Sequence, residues 1–287
     1  MTVVVARHAI PADDKAARAA EVLSGILADE FAEEPLTAWD LQSATSTALA
    51  LTRKRALLDP PAEEVESWYA WTAAMQASSA VFAAVQAQGS VECRIGIHGV
   101  RAIPAIEPTD YTDAGSWLDA FWLALICREP RRLDVLATVP ESVLRQSGAV
   151  FDEYIYAWVG ALQAFRRQEP EVMEKLLAAI DGTDPQVARV ADRETLLKLL
   201  YPPIAAFYRL VQRDAEKFNE ALVEGLELHR EYWTAEEDRL DEPFGFVSLP
   251  LLAIACLARD LGIEVEVESD YLPKHLLLGS WVGEFDA

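Results

Sequence analysis

The groups with which this chain could bind a metal or move a proton are four histidines, His8, His98, His229 and His275, and 47 carboxylates. Zinc hydrolases carry two histidines one helical turn apart around a glutamate, so that both rings face one ion. No histidine here stands in such an H-E-x-x-H run, and no Glu-x-x-His pair suggests a carboxylate-bridged metal centre inside a helical bundle. "DAGSWLDA" lacks the G-x-S-x-G elbow that exposes a nucleophilic serine, "RIGIHGV" is not a dinucleotide loop, and no G-K-[ST] phosphate loop occurs. The tail "ESDYLPKHLL" gathers Asp270, Tyr271, Lys274 and His275. Those four could share a proton; the plainer reading is a capped terminal helix with Pro273 near its start. Cys93, Cys127 and Cys256 are odd in number and widely spaced, and read as buried free thiols. The expectation is no catalytic residue, no metal and no cofactor.

A charge pattern is more informative. Glu216, Glu220, Glu224, Glu227 and Glu231 follow spacings of 4, 4, 3 and 4, which on a helix fall within a stripe of about 80°. Like charges one turn apart repel by roughly 0.2–0.5 kcal/mol a pair, so the stripe gives up on the order of 1 kcal/mol. From Asp214 to Glu242 there are 11 acids and 3 bases. One reading is a solvated face on an acidic protein. The sharper reading is a docking face for a basic protein, with Tyr232 and Trp233 at its end as aromatic anchors. The pairs Trp68 with Trp71 and Phe121 with Trp122 read as core.

The elements that must carry this stripe announce themselves through a recurring phrase. "LICREPRRLDVL", "RRQEPEVMEKLL" and "RLVQRDAEKFNEAL" align on Glu129, Glu169 and Asp214. Leu125, Phe165 and Leu210 stand four residues before the acid; Leu133, Met173 and Phe218 stand four after it. An acid suits a helix N-cap, and Pro130 and Pro170 suit the first helical position, so each phrase predicts the corner of a helical hairpin. A fourth corner at Asp260 is diverted by Gly262. Thr37 caps a helix that runs to Leu58, where "DPP" stops it. Pro61 opens the next, with Glu63 and Glu64 in its first turn, Trp68, Met75, Phe82 and Val85 on its buried face, and Gly89 closing it. Asp113 caps the helix containing "SWLDAFWLALI". Pro202–Pro203 must break or sharply kink the chain. Period-two alternation in "VECRIGIHGVRAI", with a turn at His98–Gly99, and in "IEVEV" predicts a minor β-hairpin element.

The chain has 287 residues, 52% of them hydrophobic and 25% charged, as in ordinary globular proteins. The expected fold is mainly α: a single helical domain over 1–287 of irregular stacked αα-hairpins, with a sub-boundary near 89–112. A formal charge of −22 disfavours nucleic acid and anionic membrane surfaces as partners. The N-terminus is no signal peptide, "VSLPLLAIACLA" is short for a bilayer span, and the expected location is cytoplasmic.

Several long segments, "VECRI", "DAGSWLDAFWLALICRE", "LLKLLYPPIAAFYRL", "LELHREYWTAEEDR" and "PLLAIACLARDLGIEVEVESDYLPKHLL", resemble immunity protein family 49 of bacterial polymorphic toxin systems. The resemblance runs from about Val91 to the C-terminus and more loosely before it. It implies an antitoxin that binds and neutralises a cognate toxin without catalysis. An acidic surface would speed capture of a basic toxin, such as a nuclease. The alternatives are a helical-repeat interaction scaffold and an all-α enzyme acting on a small molecule.

Overall fold

A computed structural model describes residues 2–10, 13–96 and 99–284. The fold is mainly α, with two sheets of two strands each among the described residues. Strand β1 (Val3–Val4) leads to α1 (Ala16–Ala32), α2 (Ala38–Leu58) and α3 (Val65–Val85). Thr37 and Asp40 form a reciprocal capping box at the start of α2. The next helix begins later than Pro61: Asp59 accepts from the N–H groups of Glu63 and Glu64 and from the Ser67 hydroxyl, at 2.6–3.0 Å. The prolines and Ala62 fill that turn, Glu64 is the cap and Glu66 lies in the first turn. Helix α3 has no single buried face. It is enclosed nearly all round by α2, α4, α5 and β2, which its alanine and serine content permits. Ser78 and Ser79 return their hydroxyls to the carbonyls one turn back, which satisfies them inside the core. Val85 is half-buried and the positive-φ Gly89 lies beyond the helix end.

Strands β2 (Ser90–Arg94) and β3 (Val100–Pro104) pair antiparallel, Val91 opposite Ile103, as the alternation predicts. Gly99 takes a positive φ in the turn; its expected partner His98 lies outside the described residues. The second alternation yields only β4 (Val267–Glu268), which pairs in parallel with β1 across almost the whole chain.

The three corners are real and share one backbone. Helices α4 (Ala114–Ile126) and α5 (Pro130–Ala137), then α7 (Glu153–Arg167) and α8 (Val172–Gly182), then α10 (Tyr201–Val211) and α11 (Ala215–Trp233) pack as hairpins. Short α6 (Glu141–Gln146) and α9 (Arg193–Thr195) lie between them. At each corner one residue, Arg128, Gln168 or Arg213, adopts the left-handed conformation at φ 57°. The N–H after it reaches back five residues: Glu129 to Ala124, Glu169 to Ala164 and Asp214 to Arg209. This closure satisfies carbonyls that a helix end leaves orphaned. Only Asp214 caps with its side chain, on the Lys217 N–H at 3.1 Å. Glu129 makes no such bond, and Glu169 pairs with Arg167 instead, so that α8 starts past Pro170. Asp113 caps α4 on the Ser116 N–H as expected. Gly262 repeats the closure a fourth time, with Ile263 N–H on Ala258, and then leads to β4 rather than to a helix.

The double proline does not break its helix. Residues Leu196–Leu200 form a π turn that runs directly into α10. Widening the coil accommodates the missing N–H donors and the ring that would strike the carbonyl one turn back. Helix α12 (Leu249–Asp260) then returns to pack on α4, α10 and α11, and α13 (Lys274–Leu278) packs on α12. The 18-residue stretch Pro243–Asp260 is long and apolar enough by composition to cross a membrane, but α12 buries seven of its residues in the core. Arg128 ties the first corner to the C-terminal region through Leu276 O, Leu277 O and Asp260. One hydrophobic cluster extends from Val5 to Leu276, and the aromatic pairs expected in the core are there.

Candidate partner-binding face

Helix α11 is positioned by the Asp214 cap and by one apolar face. Phe218, Leu222, Leu226 and His229 recur at helical spacing and are buried. The opposite face follows by geometry: Glu216, Glu220, Glu224, Glu227 and Glu231 are all exposed. Among the described residues only Glu231 meets a cation, Lys198 at 3.8 Å; the other four have no ion pair. Asn219, between the two faces, fastens the helix to the β4 segment through Glu264 O and Glu266 N–H. Glu236, Glu237, Asp238, Asp241 and Glu242 continue the acidic surface past the helix end, also exposed.

Tyr232 and Trp233 are less accessible than a free docking anchor. Both are half-buried. Tyr232 accepts from Thr195 at 3.2 Å and carries the Arg239 guanidinium on its ring. Trp233 covers Gly245 so closely that a Cβ there would lie 2.7 Å from the indole. The two rings hold the loop after α11 against the body. The most exposed tryptophan is instead Trp39, at 72%. The sequence contained the signal: Leu41, Ala44, Ala48 and Leu51 define the buried face of α2, and position 39 falls off it.

The tail residues do not form an acid–base group. Tyr271 turns inward while Asp270 and Lys274 stay exposed. Its hydroxyl accepts from the His8 backbone N–H and lies 2.8 Å from His8 Nδ1. His8 Nε2 faces Leu240 O, so it carries the proton and Nδ1 accepts from the tyrosine. His229 packs edge-on against the same ring at 4.8 Å and bonds Gly245 O through Nε2. Burial pushes the His229 pKa down to about 4. This inter-element lock joins residues 263 apart, and no local signal foretold it. The three thiols are free and buried as expected. No cluster of three metal-ligating side chains occurs among the described residues.

Three of the concavities among the described residues are lined in part by α2. An open trough of about 820 Å³ lies between α1 and α3 over α2, lined by Ala17, Ala20, Ser24, Leu51, Tyr69 and Gln76 among others. A slot of about 230 Å³ is lined by Arg53, Trp71, Asp119, Trp233 and Phe244. A smaller one of about 150 Å³ adjoins it at Leu49 and Asp119. Burial in this seam pushes the Asp119 carboxyl up to about 6 despite the opposing pull of Arg53.

An ionised Asp119 therefore weakens the fold above pH 6, and the penalty disappears below the unfolded value near 4, where both states are protonated. Asp119→Asn is expected to stabilise the protein by about 2 kcal/mol at pH 7.5, discounted for the solvent the side chain still meets. The gain should shrink to nothing as pH falls from about 6 to about 4, a trend that urea unfolding at each pH would measure. A constant difference would remove the buried-carboxylate assignment.

The family model described as immunity protein 49 matches residues 59–276, most of the chain. No curated protein and no solved structure matches.

Proposed function

The chain belongs to the immunity protein 49 family, and from that premise we propose that it is a cytoplasmic antitoxin that binds a cognate, basic bacterial toxin stoichiometrically through the outer face of α11. The observation that carries the reading is the exposed glutamate stripe, four of whose five members have no ion pair among the described residues. A structural helix gains nothing from such a stripe, because each like-charge neighbour costs stability. A cationic partner turns the same stripe into an attractive surface and raises the association rate. Nuclease toxins suit this partner best, since a protein that grips phosphate is itself basic. Neutralisation by contact requires a firm surface, and α11 is fastened by its cap, its buried face and Asn219.

Co-expression with the product of a neighbouring toxin gene, followed by pull-down and a rescue assay, tests this proposal. A stable 1:1 complex and restored growth are expected. No complex, or rescue at sub-stoichiometric amounts with turnover of a small molecule, would replace it with the enzymatic alternative.

A further inference from the structure

Two charged side chains of opposite sign face one cavity without closing on each other. Arg53 of α2 and Asp119 of α4 both line the slot of about 230 Å³. Among the described residues neither has an ion-pair or hydrogen-bond partner; the Arg53 guanidinium rests instead on the Phe244 ring, 3.5 Å from its centroid. Trp233 lines the same slot, and its buried indole Nε1 has no hydrogen-bond partner. Desolvated ions are retained when a partner completes them, and an unfilled core position would be better served by an aliphatic residue.

We propose that this slot binds a free apolar α-amino acid as its zwitterion. The ammonium pairs with Asp119, the carboxylate with Arg53 and the Trp233 N–H, and the side chain lies against Trp71, Leu123 and Phe244. Charge selects this class. An amine alone would satisfy Asp119 and leave its positive charge beside Arg53; a carboxylate alone would have the converse fault. A zwitterion meets both groups and adds no net charge. Size agrees, since a slot of about 230 Å³ falls just below the range of drug-sized ligand pockets and suits a molecule as small as valine or leucine. The lining is mostly apolar with a few converging polar groups, as small-ligand sites are. This inference does not rest on the toxin-binding reading, because the slot is lined by α2, α3, α4, the inner side of α11 and the segment after it, and by none of the five glutamates of the stripe.

Titration calorimetry of the purified full chain with L-valine and L-leucine tests the assignment. A dissociation constant on the order of 0.1–1 mM is expected for so small a ligand. 3-Methylbutylamine and 4-methylpentanoate, each lacking one charge, should bind about 10–100-fold more weakly, and so should leucine to D119N or R53M. D119N is expected to fold at least as well as the parent, so its loss of binding would not reflect unfolding. Absence of binding by both amino acids at about 10 mM would overturn the proposal. Equal binding of the amine alone, or unchanged affinity in D119N, would do the same.

Discussion

Reversal of Glu220, Glu224 and Glu227 to lysine is expected to slow toxin capture by about 100-fold at low salt, with little change in the dissociation rate. The three side chains are exposed and make no ion pair among the described residues, so their removal opens no cavity and strands no partner. New lysines at 220 and 227 would lie one turn from Glu216 and Glu231, an arrangement that favours the helix. Any loss of binding would thus come from the surface field rather than from unfolding. Stopped-flow association at increasing ionic strength is the measurement. The parent should slow steeply as the Debye length shrinks from about 30 Å at 0.01 M to about 8 Å at 0.15 M, and the variant should not. A useful companion is S24W, which partly fills the trough between α1 and α3. If S24W abolishes binding and the charge reversal does not, the docking face lies on the trough and the α11 assignment fails.

A second large effect concerns stability, where one chemical change should act with opposite signs at two helical glycines. Gly182 ends α8, and a Cβ there would lie 2.5 Å from Tyr154 Cβ and 3.3 Å from its Cα. Those atoms belong to the base of a buried residue and cannot swing away. Gly182→Ala must part α7 from α8, at a cost of about 2–3 kcal/mol. Gly25, inside α1, has nothing within 4 Å of the same position. Gly25→Ala is expected to stabilise by about 0.5–1 kcal/mol, since alanine is the better helix former and constrains the unfolded chain. Thermal and urea unfolding of both variants would check the pair. Equal effects would mean that the tight approach at Gly182 is relieved by a backbone shift.

What could be read in advance divides by range. Thr37, Asp113 and the three corners were legible because capping and left-handed closure are decided within a few residues. The acids at the corners misled in detail. Glu129 and Glu169 occupy the right positions, but only the shorter Asp214 side chain bends back onto its own helix. Pro202–Pro203 predicts a break or sharp kink because local rules do not foresee a π turn that widens to admit the rings. The burial of α3 on nearly every side was hidden by its lack of amphipathic contrast: small residues all round leave no stripe to detect. On α11 the exposure of the glutamates followed from periodicity alone. The inward engagement of Tyr232 and Trp233 depends on Gly245 and Arg239, in a loop whose path the helix does not dictate. The Arg53–Asp119 slot and the His8–Tyr271 contact join residues far apart in the chain, beyond the reach of any spacing argument.

The parallel pairing of Val3–Val4 with Val267–Glu268 sets a timetable. A strand made among the first residues has no mate until the ribosome has added more than two hundred others, roughly 13–50 s at about 5–20 residues per second. The intervening hairpins, whose contacts are local, are free to assemble meanwhile. The seam between β1 and β4 therefore closes only after that interval, and until then the first strand waits.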